Sequence, residues 1–215
     1  MMNSVSVRRL SADRVAERAS WAAVRELCCR TGNNGAPIAA ARWDLFARIW
    51  VEPYEKLLPQ WTYVAESGGA IVGYLTGCPD SARFHRMKWW RATLPLALAI
   101  AGGRYRHIAG AREFLKRAIG LGRTPEGCLS REAGRAIAHD YPAHLHINMA
   151  ADQRRQGAGR RLVESYFADL RRSGVAGVHL FCGPDPVEFY RRLGFQKLEE
   201  IKLNGTVTFA LGARL

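Results

Sequence analysis

The stretch that most constrains this chain runs from His144 to Gly159, HLHINMAADQRRQGAG, and continues into RRLVESYFADLRRSG. Its first residues alternate and favour extended backbone, so the spacing predicts a strand. Arg154, Gly157 and Gly159 then form the pattern R-x-x-G-x-G, and the run that follows has helical periodicity. Glycines at such a turn let backbone approach a ligand. A helix start adds unpaired N–H groups at the positive end of the dipole. A strand, a Gly-rich turn bearing arginines, and a helix make a candidate diphosphate cradle. The same pattern also serves as a plain connector, and the motif alone does not choose between the two.

The downstream sequence narrows the choice. Residues 177–183 (GVHLFCG) read as a second strand reached by a right-handed crossover. Asp185-Pro186 then carries a helix-start signal, with Asp as N-cap and Pro at the first helical position. The short helix VEFYRRLGF ends at Gly194 and leads into another strand. The ordered pair R-x-x-G-x-G and F-Y-x-x-L-G-F resembles the GCN5-related N-acetyltransferase (GNAT) family, most closely over residues 141–196. The resemblance implies an α/β fold: a twisted mixed sheet flanked by helices on both faces. It also implies acetyl-CoA or another form of coenzyme A as cofactor.

The first half of the chain is in step with that order. Residues 5–10 read as a strand, and Ser11 or Asp13 is the expected cap of a helix carrying Val15, Ala19, Ala22, Val24 and Leu27. A turn over 31–35 ends it, and a second helix over 38–50 places Trp43, Phe46, Ile49 and Trp50 on one apolar face. Runs 61–66 and 70–78, joined by Ser67-Gly68-Gly69, predict a hairpin. Three further pieces are similar to the acetyltransferase-like domain of protein O-GlcNAcases and its bacterial stand-alone relatives. They are C-x-R-T-G-x-x-G from Cys28, W-V-E-P-Y from Trp50 and Y-P-A-H-L-H-I from Tyr141.

Between the hairpin and the cofactor strand lies a segment, 80–139, of a different character. Residues 81–124 hold ten Lys or Arg against the single acid Glu113, which is most of the net charge of +13. The run 93–101 is apolar but far shorter than the roughly 20 residues a membrane-spanning helix needs. Two or three short helices are expected here, with Trp89, Trp90, Phe114, Leu115 and Ile119 supplying apolar faces. This basic segment has three readings: a solvated lid, a lid selecting an acidic acceptor, or a peripheral contact to anionic membrane or nucleic acid. No nucleic-acid-binding module is legible, so a nucleic-acid partner is not expected.

Bulk properties bound the rest. The chain of 215 residues, 48% hydrophobic and 24% charged, suits one domain with an insertion. Its start, MMNSVSVRRLSADR, has no apolar stretch of an export signal. The five cysteines are odd in number and lack metal-ligand spacing, so reduced thiols in a cytoplasmic protein are expected.

Transfer of an acyl group from a thioester to an amine needs an amine that has lost its proton and a sulfur that can gain one. The resemblance implies that Arg154 and the amides of Arg155, Gln156, Gly157, Ala158, Gly159 and Arg160 hold the pyrophosphate. It also implies that backbone around Ile147, Asn148 and Met149 pairs with the pantetheine arm. Tyr190 sits at the motif tyrosine and is the implied acid; its alternative role is aromatic packing. Along the strand, His144, His146 and Asn148 share one face and Leu145, Ile147 and Met149 the other. Asn148 stands where the nearer relatives carry Asp, and an amide cannot take a proton. His146 is the substitute base, with a satisfied core histidine as the competing reading. Gly183 stands where the family often places an Asn that bonds the cofactor arm. Cys182 is either a small buried hydrophobe or a nucleophile. Two functions follow. One is an N-acyltransferase acting by direct attack on acyl-CoA, with a small-molecule or peptide amine as acceptor. The other is an inactive CoA-binding module working as a sensor or adaptor through its basic insertion. Both are compatible with a monomer or a homodimer.

Overall fold

A computed structural model describes residues 5–33, 35–119, 124–154, 156–203 and 205–215. Asn34 and Arg155, together with the side chains of Phe114 and Leu115, lie outside the described residues. Seven strands form one mixed sheet: β1 (Ser6–Arg9), β2 (Thr62–Ser67), β3 (Ala70–Cys78), β4 (Ala143–Met149), β5 (Gly177–Cys182), β6 (Gln196–Leu203) and β7 (Thr206–Arg214). Their order across the sheet is β1-β2-β3-β4-β5-β7-β6, and only β4 and β5 run parallel.

One face of the sheet carries α8 (Ala158–Arg172), the helix that follows the Gly-rich turn. Leu162, Val163, Tyr166, Phe167 and Leu170 form its buried stripe, the i, i+4 spacing of an amphipathic helix. They pack on Leu145, Leu75 and Leu180, with Tyr190 of α9 (Val187–Arg191) and Phe195 alongside. Tyr166 also ties strands together: its hydroxyl lies 2.9 Å from the Cys78 carbonyl oxygen and 2.8 Å from that of His144. The strand residue beneath it has to be glycine, since a Cβ on Gly77 would stand 2.6 Å from the Tyr166 ring. On the opposite face lie α1 (Arg18–Thr31) and α2 (Trp43–Trp50), packed over Val64 and Tyr74.

Several local expectations change in the folded chain. Asp13 accepts from the amides of Val15 and Ala16, closing a turn, and α1 starts only at Arg18 without a side-chain cap. Asp185 does not cap α9; Pro186 occupies the N-cap and the helix begins at Val187. In α2 the fully buried residue is Leu45, while Trp50 is 44% exposed. The cause is that α2 is covered twice, by the sheet on one side and by the insertion on the other. A short helix absent from the sequence reading, α3 (Glu52–Leu57), follows with Pro53 in its first turn.

The insertion is helical: α4 (Ser81–Lys88), α5 (Leu94–Ala101), α6 (Ala111–Ala118) and α7 (Arg131–Asp140). A π turn over Trp89–Thr93 joins α4 to α5 without a break. In a straight α-helix Phe84 and Leu96 would point about 120° apart. The wider turn swings both inward, Phe84 onto Tyr54 and Leu96 onto Leu45, Ile100, Tyr105 and Ile108. Trp89 and Trp90, expected on an apolar face, are 39% and 68% exposed, so that face is turned outward.

Candidate active site

Strands β4 and β5 pair only at Ala143↔Val178 and His144↔His179, then part company. On its other side β4 stays bonded to β3 as far as Met149↔Gly73. Residues 145–149 of β4 therefore present one row of backbone groups to an opening in the middle of the sheet. Residues 150–154 and 156–157, the described part of the turn, lead from β4 into α8. Gly157 adopts φ +80°, ψ −7°, a left-handed conformation that an L side chain resists, and a Cβ there would meet nothing within 4 Å. The first intrahelical bond of α8 runs from the Arg161 amide to the Gly157 carbonyl, 3.1 Å, which leaves the amides of Ala158, Gly159 and Arg160 without a helical acceptor.

The arginines of the motif divide their roles. The Arg154 guanidinium lies against the α1–α2 loop, where a Cβ on Gly35 would come within 2.9 Å of it. Arg160 turns along the helix to Glu164, 2.6 Å away, and Arg161 donates to the Val5 carbonyl at 2.7 Å. Gln156 donates weakly to the Asp152 carbonyl across the turn at 3.3 Å. Ile147 and Met149 pack with the α8 face, Met149 lying over Gly73 and Ile147 near Gly159.

Tyr190, on α9, lies on the α8 side of the sheet. It is buried between the Phe189 and Phe195 rings, and its hydroxyl makes no hydrogen bond among the described residues. Burial, then the neighbouring Cys182 thiol, pushes its pKa well above that of an ordinary phenol, so it stays protonated. Cys182 pairs with Phe209 across the sheet, and burial raises its thiol to about 11, which favours the apolar role over the nucleophilic one.

From the other face come the histidines, and the two on β4 separate cleanly. His144 is the satisfied one. It is buried, with Tyr54 Oη 2.7 Å from Nε2 and Ser81 Oγ 2.8 Å from Nδ1. Ser81 Oγ also lies 2.7 Å from the Pro142 carbonyl. One neutral tautomer satisfies the whole set: Ser81 donates to Pro142, Nδ1–H to Ser81, and Tyr54 to Nε2. His146 differs. Its ring is open to solvent, makes no hydrogen bond among the described residues, and is flanked by the edges of Trp50 and Tyr54 at 5.8 and 6.1 Å. It stands in a recess rather than in the core. Enclosure by protein and the Lys88 ammonium hold its pKa below the ordinary imidazole value; water at the mouth of the recess offsets part of that shift. Asn148 is fixed, its amide donating to Tyr74 Oη at 2.7 Å, and Tyr74 is buried in one cluster with Cys28.

The insertion roofs this recess. Phe84, His85 and Lys88 lie on one side of α4, with Phe84 stacked on Tyr54 at 4.7 Å and His85 5.7 Å from the His144 ring. Lys88 is half-buried, and among the described residues it has no ion-pair partner. Of these groups the sequence motifs point only to Trp50 and Tyr54, within W-V-E-P-Y; nothing in the spacing of α4 marks His85 or Lys88. A hollow of about 410 Å³ between α1 and α2 is a poorer candidate, since Arg25 and Arg48 on its wall are already paired with Glu55 and Asp44. No group of metal-ligating side chains occurs among the described residues.

A mixed sheet that opens beside a Gly-rich turn and helix start is the architecture that the comparisons with solved structures can test. No family model matches the chain. SsHAT, a solved structure, is similar at 30% identity over 98% of this chain and 98% of its own, with a TM-score of 0.69. On that likeness the chain belongs to the GNAT family of acetyltransferases. The ribosomal-protein-alanine N-acetyltransferase from Brucella melitensis shares the fold at 14% identity, covering 98% of this chain and 99% of its own, TM-score 0.55. So does yncA from Salmonella typhimurium, solved with its cofactor acetyl-CoA, at 16% identity over 99% and 95%, TM-score 0.55. Acetyl-CoA is the cofactor of the family, and the open edge of β4, the free amides of α8 and the empty space at Gly157 fit it.

Proposed function

We propose that the protein transfers an acetyl or other short acyl group from acyl-CoA to an amine by direct attack, without an acyl-enzyme. The parting of β4 and β5 beside the 154–159 turn is the observation that carries this reading. Arg154 and the amides from Arg155 to Arg160 hold the pyrophosphate, and backbone of Ile147, Asn148 and Met149 takes the pantetheine arm. When bound, the cofactor supplies a thioester carbonyl within the opening. His146, neutral at pH 7, takes the proton from the acceptor amine. Tyr190, on the opposite side of the opening, gives its proton to the departing sulfur. Asn148 has no proton to take or give; it steadies Tyr74 behind the site.

The acceptor reaches the exposed His146 past Trp50, and Lys88, which has no ion-pair partner among the described residues, favours an amine that carries an acidic group nearby. Within the family, the nearest kin we infer are the acetyltransferase-like domains of protein O-GlcNAcases. Support comes from where the three shared sequence pieces meet: Cys28 on Tyr74 behind Asn148, Gly35 on Arg154, and Trp50 and Tyr54 around the two β4 histidines.

Calorimetric titration with acetyl-CoA tests the reading. The wild type should bind, and a variant combining Arg154→Ala with Gly157→Trp should not, while both melt cooperatively. A folded wild type that releases no heat with acetyl-CoA would remove the assignment.

A further inference from the structure

The continuous helix of α4, the π turn and α5 has two unlike long sides. Leu96 and Ile100 face inward onto Leu45, Tyr105 and Ile108. On the outer side Trp90 is 68% exposed and Leu98 is 65% exposed, with Leu94 partly exposed between them. These three recur every fourth residue and form an apolar stripe that no described residue covers. Large apolar side chains scattered singly on a surface are ordinary; a stripe of them that includes a tryptophan marks a contact.

The surroundings of the stripe say what kind of contact. Arg83, Arg86, Arg91, Arg104 and Arg106 are all exposed, and none forms an ion pair among the described residues. No acid occurs from 81 to 112, so the helix and the turn after it contribute only positive charge. We propose that this helix and the turn after it form a docking surface for an anionic lipid bilayer, on which the protein lies without crossing. Indole and leucine side chains settle at the boundary between headgroups and acyl chains, while arginines around them reach lipid phosphates. No described helix is long and apolar enough to cross a membrane. A second copy of the chain fits poorly, because a two-fold contact would set these arginines against each other. Nucleic acid would meet the arginines but leave Leu94 and Leu98 without a counterpart. The surface is independent of acyl transfer and would persist in an inactive protein.

Co-sedimentation of the whole protein with vesicles tests this, using phosphatidylcholine alone or mixed with phosphatidylglycerol. The wild type should bind the mixed vesicles, weakly or not at all the neutral ones, and less as salt rises. Trp90→Glu with Leu98→Glu alters only exposed positions and should lower the bound fraction about tenfold, with an unchanged melting curve. Arg86→Gln with Arg91→Gln should weaken binding to the anionic vesicles. Absence of wild-type binding, or equal binding by the Trp90/Leu98 variant, overturns the proposal. So does tighter retention on duplex DNA than on vesicles at matched salt.

Discussion

Tyr190 and His146 are pushed in opposite directions, and on the proposed reading the two pushes serve one proton balance. Burial keeps the phenol protonated, and enclosure beside Lys88 keeps the imidazole deprotonated. On the proposed reading, Tyr190→Phe should lower kcat by about 10²- to 10⁴-fold and leave acetyl-CoA affinity unchanged, read by steady-state kinetics beside calorimetry. His146 carries the pH signature. Because its folded pKa lies below the usual value of about 6.5, the acid limb of kcat/KM should fall below that pH, and His146→Gln should abolish the limb. A limb at or above the ordinary histidine value would assign the base to another group.

At the scale of elements, the β4–turn–α8 unit sets both the site and what could be read of it in advance. Gly157→Ala should cost about 1–2 kcal/mol from the left-handed backbone alone and also weaken acetyl-CoA binding; urea unfolding and calorimetry separate the two effects. That unit was legible because alternation, glycine and helical period follow one another there with little help from the rest of the chain. The hairpin of β2 and β3 was legible for the same reason, through Ser67-Gly68-Gly69. Elements held by distant partners were not. The α3 helix is one and a half turns opening on Pro53, and it exists because Tyr54 stacks on Phe84 and bonds His144. Within the insertion, pattern alone gave Trp89 and Trp90 an apolar face but not the side it turns to, since a π turn leaves no mark in composition. The recess was half legible: His146 and Asn148 share a strand face by simple alternation, whereas His85 and Lys88 reach it only because α4 folds back over β4.

For the molecule as a whole, the buried histidines bind stability to pH. His144 and His179 are both buried and both lowered, chiefly by burial, so the folded state holds them neutral. The unfolded chain takes up protons on each below pH about 6.5, where the folded chain does not. Stability should therefore be full above that pH and decline as the pH falls through it, by up to about 1.4 kcal/mol per unit for each histidine. Urea midpoints measured from pH about 8 down to about 5.5 check this; a level profile would mean that the two rings are charged in the fold.

The position of β7 has a consequence for how the protein comes into being. It lies between β5 and β6 in the sheet and pairs with both, from Gly177↔Arg214 to Cys182↔Phe209 on one side and from Gln196↔Gly212 to Leu203↔Thr206 on the other. It is also the seventh strand to emerge during synthesis. Until it does, β5 has one unpaired edge, β6 has no neighbour, and the hydrophobic layer that Leu211 and Ala213 complete stays open to water. A nascent chain that has already made β4, the Gly-rich turn and α8 must wait for this one strand, its edges prone to pairing with other chains in the interval.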